Sequence, residues 1–269
     1  MKSRLDKMLV DKGYAASRER AQALILAGRV LVNEQRVDKS GTGVAEEAAI
    51  RVLGADLKYV SRGGLKLEKA LEYWQIGLDG VACLDIGAST GGFTDCMLQG
   101  GAASVLAVDT GYGQIAQRLR DDPRVALRER TNARLLGAGE LLPAGSQVPE
   151  FIAMDVSFIS ATLVLPAVLG ALSTDDRRWV GSAVILVKPQ FEAGRLNVGK
   201  GGIVRDPEAR QMAIRRVVAC VVEQGGTVVE VIDSPIRGME GNHEYLLYAR
   251  FLESAVRLSN PILPDQKLH

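Results

Sequence analysis

Cysteine and histidine are scarce in this sequence, and their scarcity excludes two kinds of site. The three cysteines are widely spaced in apolar surroundings, a pattern that predicts reduced core residues and neither a disulfide framework nor a set of metal ligands. They are Cys83, Cys96 and Cys220. Only two histidines are present, so a histidine-based metal site is not expected either. We therefore predict a protein that holds no metal.

Aromatic residues and net charge are also low. Aromatic residues make up 5% of the 269-residue chain, which argues against an aromatic-rich surface for stacking bases. The formal net charge is only +1, but it is unevenly distributed. Residues 1–62 carry 12 Lys/Arg against 8 Asp/Glu, whereas the other 207 residues carry 21 against 24. A small basic module ahead of a slightly acidic body indicates a polyanionic partner.

No segment has the pattern of a targeting or membrane-spanning element. The first residues, "MKSRLDKMLVDKG", are charged throughout and lack the apolar centre of a signal peptide. Residues 151–173 are long enough to cross a bilayer, but Asp155 and Pro166 would both be costly in an isolated span. We predict instead a buried strand ending at Asp155 and a helix capped by Ser157 or Ser160. The expected protein is cytoplasmic, with no stable membrane association.

The first 44 residues have the pattern of two helices followed by a hairpin. Apolar residues at helical spacing precede a glycine, a serine is placed to cap the second helix, and an alternating run surrounds a turn. A last strand is expected at "AIRVL" within the connector 45–62. The residues that carry these signals are Leu5, Met8, Leu9, Gly13, Ser17, Gly28, Asn33 and Glu34.

The rest of the chain alternates strands and helices. Strands are predicted at 81–86, 104–109, 124–128, 150–155, 182–188, 227–232 and 244–251. Helices are predicted at 64–75, 91–99, 157–171 and 206–224. This alternation indicates an α/β fold with a mostly parallel sheet covered on both faces. The loop before the final strand is too short for a crossover helix, so that strand should be antiparallel.

The stretch "CLDIGASTGGFTD" fits three chemistries. As G-x-S-x-G it would be a hydrolase elbow with Ser89 as nucleophile, and Asp233 and His243 follow in the order of an α/β-hydrolase. No HGGG-like oxyanion segment accompanies it, however, and the turn opens the domain instead of following a central strand. As a phosphate-binding P-loop it lacks the lysine, because Phe93 stands in that place.

The third interpretation, a donor-binding turn of a methyltransferase, accounts for more residues. Small residues after the first strand would let the backbone approach a ligand at the carboxyl edge of the sheet. The second strand ends in an acidic residue, Asp109, which can accept hydrogen bonds from both ribose hydroxyls of an adenosine-containing cofactor. S-adenosylmethionine has no phosphate and needs no lysine here. The turn residues are Asp85, Gly87, Ser89, Thr90, Gly91, Gly92 and Phe93.

Charged residues at the ends of later strands are candidates to contact the methyl acceptor. Asp155 ends the fourth strand, Lys188 ends the fifth, Lys66 lies one turn into the helix before the first strand, and Glu244 opens the last strand. A lysine at the end of an apolar strand is costly unless paired or used. Each residue alone is also explained as a surface charge or an ion pair. The D/N-P-P-aromatic run of amino-methylating enzymes and the Pro-Cys nucleophile of cytosine C5 enzymes are both missing.

The N-terminal segment "RLDKMLVDKGYAASRERAQALILAGRVLVNEQRV" resembles the S-four-type RNA-binding domain. That resemblance implies that Arg4, Arg18, Arg20 and Arg29 face RNA phosphates. Arg18 and Arg20 also oppose the macrodipole in the first turn of their helix, a conflict that an external phosphate would resolve. A tolerated, solvated charge is the alternative explanation.

Lys66, Asp155, Lys188 and Glu244 together resemble the K-D-K-E tetrad of FtsJ-type 2′-O-ribose methyltransferases. In that mechanism Lys188 is the base, Asp155 orients it and the methyl group, and Lys66 and Glu244 position the pair. The motifs "SRGGLKL", "DIGASTGGFTD", "VDTGYGQ", "ERTNAR", "MDVSFIS", "VKPQFE", "GGIVRD" and "GNHEYL" stand in the order found in the TlyA family of ribosomal-RNA 2′-O-methyltransferases, also labelled haemolysin A.

The resemblance carries further expectations. It implies an RNA-binding domain over 1–60, and over 61–269 a Rossmann-like methyltransferase domain that uses S-adenosylmethionine on ribosomal RNA or ribosomal subunits. Glu129, Arg130 and Asn132 would line the adenosyl pocket, and 192–206 would be a mobile basic loop near the RNA. A membrane-active haemolysin and an RNA-binding protein with an inactive methyltransferase fold remain as alternatives. The modified nucleotide, the target subunit and the oligomeric state stay open.

Overall fold

A computed structural model describes residues 2–11, 14–15, 17–45, 48–53, 58–141, 147–174, 176–238 and 241–252. The chain divides into two compact units, 1–57 and 58–269. Each unit is described by itself.

The first unit combines two short helices with two small antiparallel sheets. Strand β1 pairs with β4, and β2 pairs with both β3 and β5. The turn between β2 and β3 is formed by Asn33 and Glu34 with φ of +52° and +63°, values that a type I′ hairpin turn requires, and the predicted hairpin is confirmed. The elements are β1 Lys2–Arg4, α1 Leu5–Asp11, α2 Arg18–Leu26, β2 Val30–Val32, β3 Gln35–Arg36, β4 Gly43–Ala45 and β5 Ile50–Val52.

The core of this unit is formed by the apolar faces of the two helices. Leu5, Met8 and Leu9 of α1 are buried against Leu24 and Ile25 of α2, as their spacing predicts. The predicted cap of α2 is confirmed, because the Ser17 hydroxyl accepts a hydrogen bond from the Arg20 backbone N–H at 3.2 Å. The predicted end of α1 at Gly13 lies outside the described residues.

The second unit is built on one seven-stranded sheet. Its strands are β6 Ala82–Ile86, β7 Ser104–Val108, β8 Val125–Arg128, β9 Phe151–Met154, β10 Gly181–Val187, β11 Thr227–Asp233 and β12 Tyr245–Phe251. Its helices are α3 Gly63–Tyr73, α4 Gly92–Gln99, α5 Gln117–Arg120, α6 Ala161–Ala171, α7 Pro189–Glu192 and α8 Pro207–Glu223, with 3₁₀ turns at Ala133–Leu135 and Arg195–Asn197.

The strand order is β11-β12-β10-β9-β6-β7-β8, and β12 is antiparallel to both of its neighbours. The predicted α/β fold and its antiparallel last strand are confirmed. After β6 the chain builds outward through β7 and β8, then returns to the other side of β6 with β9. The carboxyl ends of β6 and β9 thus flank the point where the order reverses, which is where open α/β sheets bind ligands.

The apolar segment 151–173 forms the buried strand β9 and the helix α6. Helix α6 begins at Ala161, later than predicted, because Ser160 and not Ser157 is its cap, accepting from the Thr162 N–H at 3.2 Å. Residues 155–160 are consequently a loop at the carboxyl edge of the sheet. Within the part of the chain that the structure describes, no helix is both long and apolar enough to cross a bilayer.

Candidate active site

The four charged residues predicted at strand ends meet at one place. Asp155 follows β9 and Lys188 follows β10, and the parallel pairing of these strands puts both residues at the same edge. Glu244 directly precedes β12, and the antiparallel pairing of Val187 with Tyr245 brings it beside Lys188. Helix α3 supplies Lys66, whose side chain is buried. The sheet topology therefore assembles residues that are far apart in sequence.

Two short ion pairs organise this tetrad. The Lys188 Nζ lies 2.6 Å from Asp155 Oδ1, and the Lys66 Nζ donates to Glu244 Oε2 at 2.6 Å. A third contact of 4.0 Å, between Lys66 Nζ and Asp155 Oδ2, joins the two pairs. Two ammonium groups and two carboxylates balance in charge, which is the condition under which such groups tolerate burial.

The tetrad lines a cleft of about 750 Å³. Five turn residues predicted to hold the donor line the same cleft, namely Gly87, Ser89, Thr90, Gly92 and Phe93. A molecule in this space would contact the glycine-rich turn on one side and the charged tetrad on another. The residues predicted for the donor and those predicted for the acceptor thus line a single cleft.

The turn after β6 approaches the Asp155 backbone so closely that only glycine fits at position 87. Gly87 has φ of +86°, and a Cβ there would lie 2.5 Å from the Asp155 carbonyl oxygen. Gly91, with φ of +94°, starts α4. Ser89 between them has φ of +50°, an uncommon value for a residue with a side chain. The glycine-rich turn therefore packs against the loop that carries Asp155.

Asp85 lies beneath this turn and outside the cleft lining. It is fully buried, and the Thr94 hydroxyl donates to its Oδ2 at 2.6 Å, while Oδ1 has no hydrogen-bond partner among the described residues. Burial, which disfavours the ionised form, raises the pKa of the Asp85 carboxyl to about 7.

This raised pKa predicts a pH dependence of stability. The unfolded chain releases the Asp85 proton near its ordinary pKa of 3.8, and the folded protein releases it only near 7, so the free energy of unfolding should fall as pH rises between these values. Asp85→Asn removes that loss, and urea unfolding at pH 5 and pH 8 should show a smaller decrease for the variant. The control is Asp122→Asn, because the Arg124 contact lowers the pKa of Asp122 to about 2 and its contribution is constant in this window. Equal decreases for wild type and Asp85→Asn would contradict the prediction.

The predicted adenosyl residues lie after β7 and β8, outside the cleft lining. The Asp109 carboxylate accepts from the Ser89 N–H at 2.8 Å and from the Gly111 N–H at 2.6 Å, so it braces the donor turn. Glu129 accepts from the Gly113 N–H at 2.7 Å and from Arg120 at 2.6 Å. Each carboxylate oxygen has two lone pairs, and those left over can accept further hydrogen bonds.

Two further residues predicted for this pocket have local structural roles. The Arg130 guanidinium lies 4.2 Å from the centre of the Tyr112 ring, and its backbone φ is +53°. The Asn132 side chain accepts from the Arg134 N–H at 3.1 Å and caps the 3₁₀ turn. Their assignment to a cofactor remains a prediction.

Ser157, Phe158 and Phe191 are among the cleft residues that the sequence reasoning missed. The Ser157 hydroxyl accepts a hydrogen bond from the Lys188 Nζ at 2.6 Å. Phe158 is 93% exposed with φ of +63°, a genuine outlier for a bulky residue, and its ring lies 5.5 Å from that of Phe191. A signal did exist, since Phe158 stands three residues after Asp155, where a D-P-P-aromatic run has its aromatic residue.

The loop 155–160 is fixed from the far side by a buried carboxylate. Glu192 Oε1 accepts from the Ala161 N–H at 2.7 Å, and its Oε2 accepts from the Ser160 hydroxyl at 2.5 Å. Burial raises the pKa of Glu192. Because Glu192 ends the short helix that begins after Lys188, it ties the lysine-bearing segment to the aspartate-bearing loop.

The predicted basic loop 192–206 is tethered in its second half. Buried Asn242 accepts from the Val204 N–H at 3.0 Å and donates to the Gly202 carbonyl at 2.8 Å. Val198 and Gly202 of this loop line the cleft. The loop therefore forms one wall of the cavity.

The hydrolase interpretation finds no support in the geometry. His243 Nδ1 lies 3.3 Å from Arg210 Nη1 and 3.9 Å from Asp233 Oδ1, whereas Ser89 is held by Asp109. Among the described residues no hydrogen bond links Ser89 to His243. A nucleophile must reach its base, so these residues do not form a triad.

The arginines predicted to face RNA lie in the first unit. Arg4 and Arg18 both contact the buried carboxylate of Asp6, at 2.9 Å and 3.0 Å. The macrodipole conflict of Arg18 is thus offset inside the protein, and an external phosphate is not needed to explain it. Arg20 and Arg29 are half-buried.

Comparisons with known proteins agree with this architecture. Residues 59–251 match the family described as FtsJ-like methyltransferase, and residues 3–50 match the S4 domain. The "16S/23S rRNA (cytidine-2'-O)-methyltransferase TlyA" of Mycobacterium tuberculosis is 44% identical over 250 residues, covering 93% of this chain and 90% of the relative. "Hemolysin A" of Brachyspira hyodysenteriae is 42% identical, covering 91% of this chain and 98% of the relative. A solved structure named "Putative hemolysin from Streptococcus thermophilus" is 41% identical with a TM-score of 0.71, covering 94% of this chain and 90% of that one.

Proposed function

The chain belongs to the FtsJ-like methyltransferase family, and from this premise we propose that it transfers the methyl group of S-adenosylmethionine to a ribose 2′-oxygen of ribosomal RNA. The observation that carries the proposal is the ion pair between Lys188 and Asp155, which lies in the same cleft as the glycine-rich turn. The relative from Mycobacterium tuberculosis, named for cytidine 2′-O-methylation of 16S and 23S rRNA, supports the substrate class.

The residues around the turn fit S-adenosylmethionine. Gly87, Ser89, Thr90 and Gly92 line the cleft with backbone and small side chains, against which a polar ligand of this size can lie closely. We assign the ribose hydroxyls to Asp109, which braces the turn from outside the cleft lining, and Ser89 and Phe93 line the cleft itself. When bound, this cofactor supplies an electrophilic methyl group on a sulfonium centre.

The tetrad would prepare the acceptor hydroxyl. A ribose 2′-hydroxyl is a weak nucleophile until its proton is removed. We propose that Lys188 first releases one of its own protons to solvent and that its Nζ, then a neutral amine, takes the 2′ proton. Asp155, 2.6 Å away, holds the amine in position and stabilises it once it is charged. Lys66, paired with Glu244, keeps the second oxygen of Asp155 oriented through its 4.0 Å contact. Acid–base catalysis of this kind contributes about 10²- to 10⁴-fold.

Phe158 offers a surface for the base of the target nucleotide. An exposed ring held at an unfavourable backbone angle beside the catalytic loop is costly unless it contacts a ligand. Stacking on an aromatic ring is worth roughly 1–3 kcal/mol per base. We assign this role to Phe158, with Phe191 supporting the ring from behind.

A test of this role is Phe158→Ala. The apparent KM for the RNA acceptor should rise about 5- to 150-fold, since about 1–3 kcal/mol of stacking is lost, while the Kd for S-adenosylmethionine stays near the wild-type value. Leu135→Ala is the matched control, because Leu135 is 75% exposed and outside the cleft. An unchanged KM in Phe158→Ala would rule out the stacking role.

The first unit would supply affinity for the RNA backbone. Its match to the S4 domain supports contacts to phosphates through exposed Arg4 and Arg18 and half-buried Arg20 and Arg29. Binding through phosphates releases counterions, so the affinity should fall steeply between about 50 and 200 mM salt. A ribosomal substrate also assigns the reaction to the cytoplasm.

The proposal is tested by methyl transfer from labelled S-adenosylmethionine to small subunits, large subunits and deproteinised rRNA. Label should enter at least one of these acceptors, at a nucleotide whose 3′ linkage becomes resistant to alkali, because a 2′-O-methyl group blocks attack by that oxygen. Label released by mild alkali, or located on a base, would contradict ribose methylation. Folded protein that binds the donor and methylates none of the acceptors would overturn the proposed function, and lysis of erythrocytes by the same preparation would then favour the haemolysin alternative.

A further inference from the structure

Asp6 is a buried carboxylate in the otherwise basic first unit. Its side chain is 0% exposed, although it is the second residue of a surface helix. A buried carboxylate is tolerated only when charged or polar partners satisfy it. The partners of Asp6 are therefore the evidence for what it does.

Two arginines from different elements converge on this carboxylate. Arg4, at the end of β1, donates from Nε to Oδ1 at 3.0 Å and from Nη2 to Oδ2 at 2.9 Å. Arg18, in the first turn of α2, donates from Nε to Oδ2 at 3.0 Å. The Gln22 amide and the Lys7 backbone N–H donate as well, at 3.0 Å and 2.9 Å. The two arginines lie in separate elements, and Asp6 holds their guanidinium groups at a fixed separation.

Both guanidinium groups remain open to solvent. The side chains of Arg4 and Arg18 are 53% and 54% exposed. Asp6 occupies only some of their donors, and the Nη1 of Arg4 and both Nη atoms of Arg18 make no bond to it. One carboxylate against two guanidinium groups leaves the cluster with one net positive charge. Two guanidinium groups that are held in place, each with N–H donors left free, are suited to hydrogen-bond the oxygens of phosphate groups.

We propose that Asp6 is a positioning residue. It holds the guanidinium groups of Arg4 and Arg18 in place so that both can bind phosphates of an RNA backbone. This inference rests on the proposed function, since it presumes an RNA substrate. An exposed arginine normally samples many rotamers and loses that freedom when it binds. Asp6 has already restricted both side chains, so less freedom is lost when a phosphate arrives.

Charge alone predicts the opposite effect of removing Asp6. Asp6→Asn takes away a negative charge from an RNA-binding surface, and simple electrostatics then predicts tighter RNA binding with a steeper salt dependence. Positioning predicts weaker binding with a shallower salt dependence, because two ordered phosphate contacts are lost. The sign of the change distinguishes the two explanations.

The experiment measures the affinity of the full chain for deproteinised rRNA across a salt series. Asp6→Asn should raise the Kd about tenfold and lower the salt slope by about 1 to 2. Asp38→Asn is the matched control, because it removes the same charge from an exposed carboxylate between β3 and β4 and should leave the Kd unchanged or lower it. Tighter binding by Asp6→Asn would overturn the positioning role.

Loss of folding is separated from loss of positioning by two further variants. Leu9→Ala leaves a cavity in the same core and should keep the wild-type Kd at a temperature where the unit is folded, as judged by amide exchange. Arg4→Lys retains the charge but cannot make the same two hydrogen bonds to Asp6. It should therefore weaken rRNA binding nearly as much as Arg4→Ala. Full affinity in Arg4→Lys would also overturn the inference. If wild-type protein itself fails to bind rRNA, the proposed function fails; if wild type binds and methylates, only the role of Asp6 is at stake.

Discussion

Lys188→Ala is expected to lower methyl transfer about 10²- to 10⁴-fold while the Kd for S-adenosylmethionine stays close to the wild-type value. The variant removes the amine that lies 2.6 Å from Asp155 and 2.6 Å from Ser157. No other described amine lies as close to Asp155, since Lys66 is 4.0 Å away and is engaged by Glu244. Single-turnover transfer to rRNA or subunits, together with equilibrium donor binding, measures the two quantities separately.

The chemical role of Lys188 is isolated by a second substitution. Lys188→Arg keeps a positive charge near Asp155, but a guanidinium remains protonated and cannot take the 2′ proton, so this variant should be nearly as slow as Lys188→Ala. The matched control is Lys69→Ala, an exposed lysine of α3 that should retain normal transfer. Substantial activity in Lys188→Arg would show that Lys188 contributes charge and is not the base. Full activity in Lys188→Ala would remove it from the mechanism, with the methyltransferase assignment itself unaffected.

Glu244→Ala is expected to lower the free energy of unfolding of the second unit by about 3–5 kcal/mol. The Glu244 side chain is 3% exposed and is the nearest partner of the Lys66 ammonium, which is itself buried. Removing the carboxylate leaves that ammonium with only Asp155, 4.0 Å away, which is already paired with Lys188. Urea unfolding followed by a probe in the second unit measures the loss.

A double substitution distinguishes the buried charge from packing. Lys66→Met with Glu244→Leu replaces the pair by apolar side chains of similar size, and it should recover most of the lost stability while methyl transfer stays low. Glu223→Ala, at the exposed end of α8, is the control and should change the free energy of unfolding by less than about 0.5 kcal/mol. If the double variant is as unstable as Glu244→Ala, the loss arises from packing and not from an unpaired charge.

The two halves of the cleft differ in how much of them the sequence reveals. The donor turn is a local feature, because the three residues with positive φ values lie close together in the sequence. They are Gly87, Ser89 and Gly91. Such conformations are restricted by residue type, so "DIGASTGG" carries a recognisable signal. Ser157 has no comparable local signal, and Phe158 has only its spacing of three residues from Asp155. A helix was predicted over them, because apolar periodicity continues through the segment and the true cap, Ser160, is one of two equivalent serines.

Periodicity, loop length and resemblance to a family act at the level of residue types, and they were enough to predict the α/β alternation, the antiparallel last strand and the four charged residues. Which of these four residues pair with one another depends on the tertiary structure. The contact of Lys188 with Asp155 depends on the register of β10 against β9, and that of Lys66 with Glu244 depends on the packing of α3 against β12. No local pattern in the sequence contains either quantity. The same holds for Asp6, whose position in the sequence indicates only an acidic residue in the first turn of a helix. Its contact with Arg4 is local, but Arg18 and Gln22 reach the carboxylate only because α2 packs against α1.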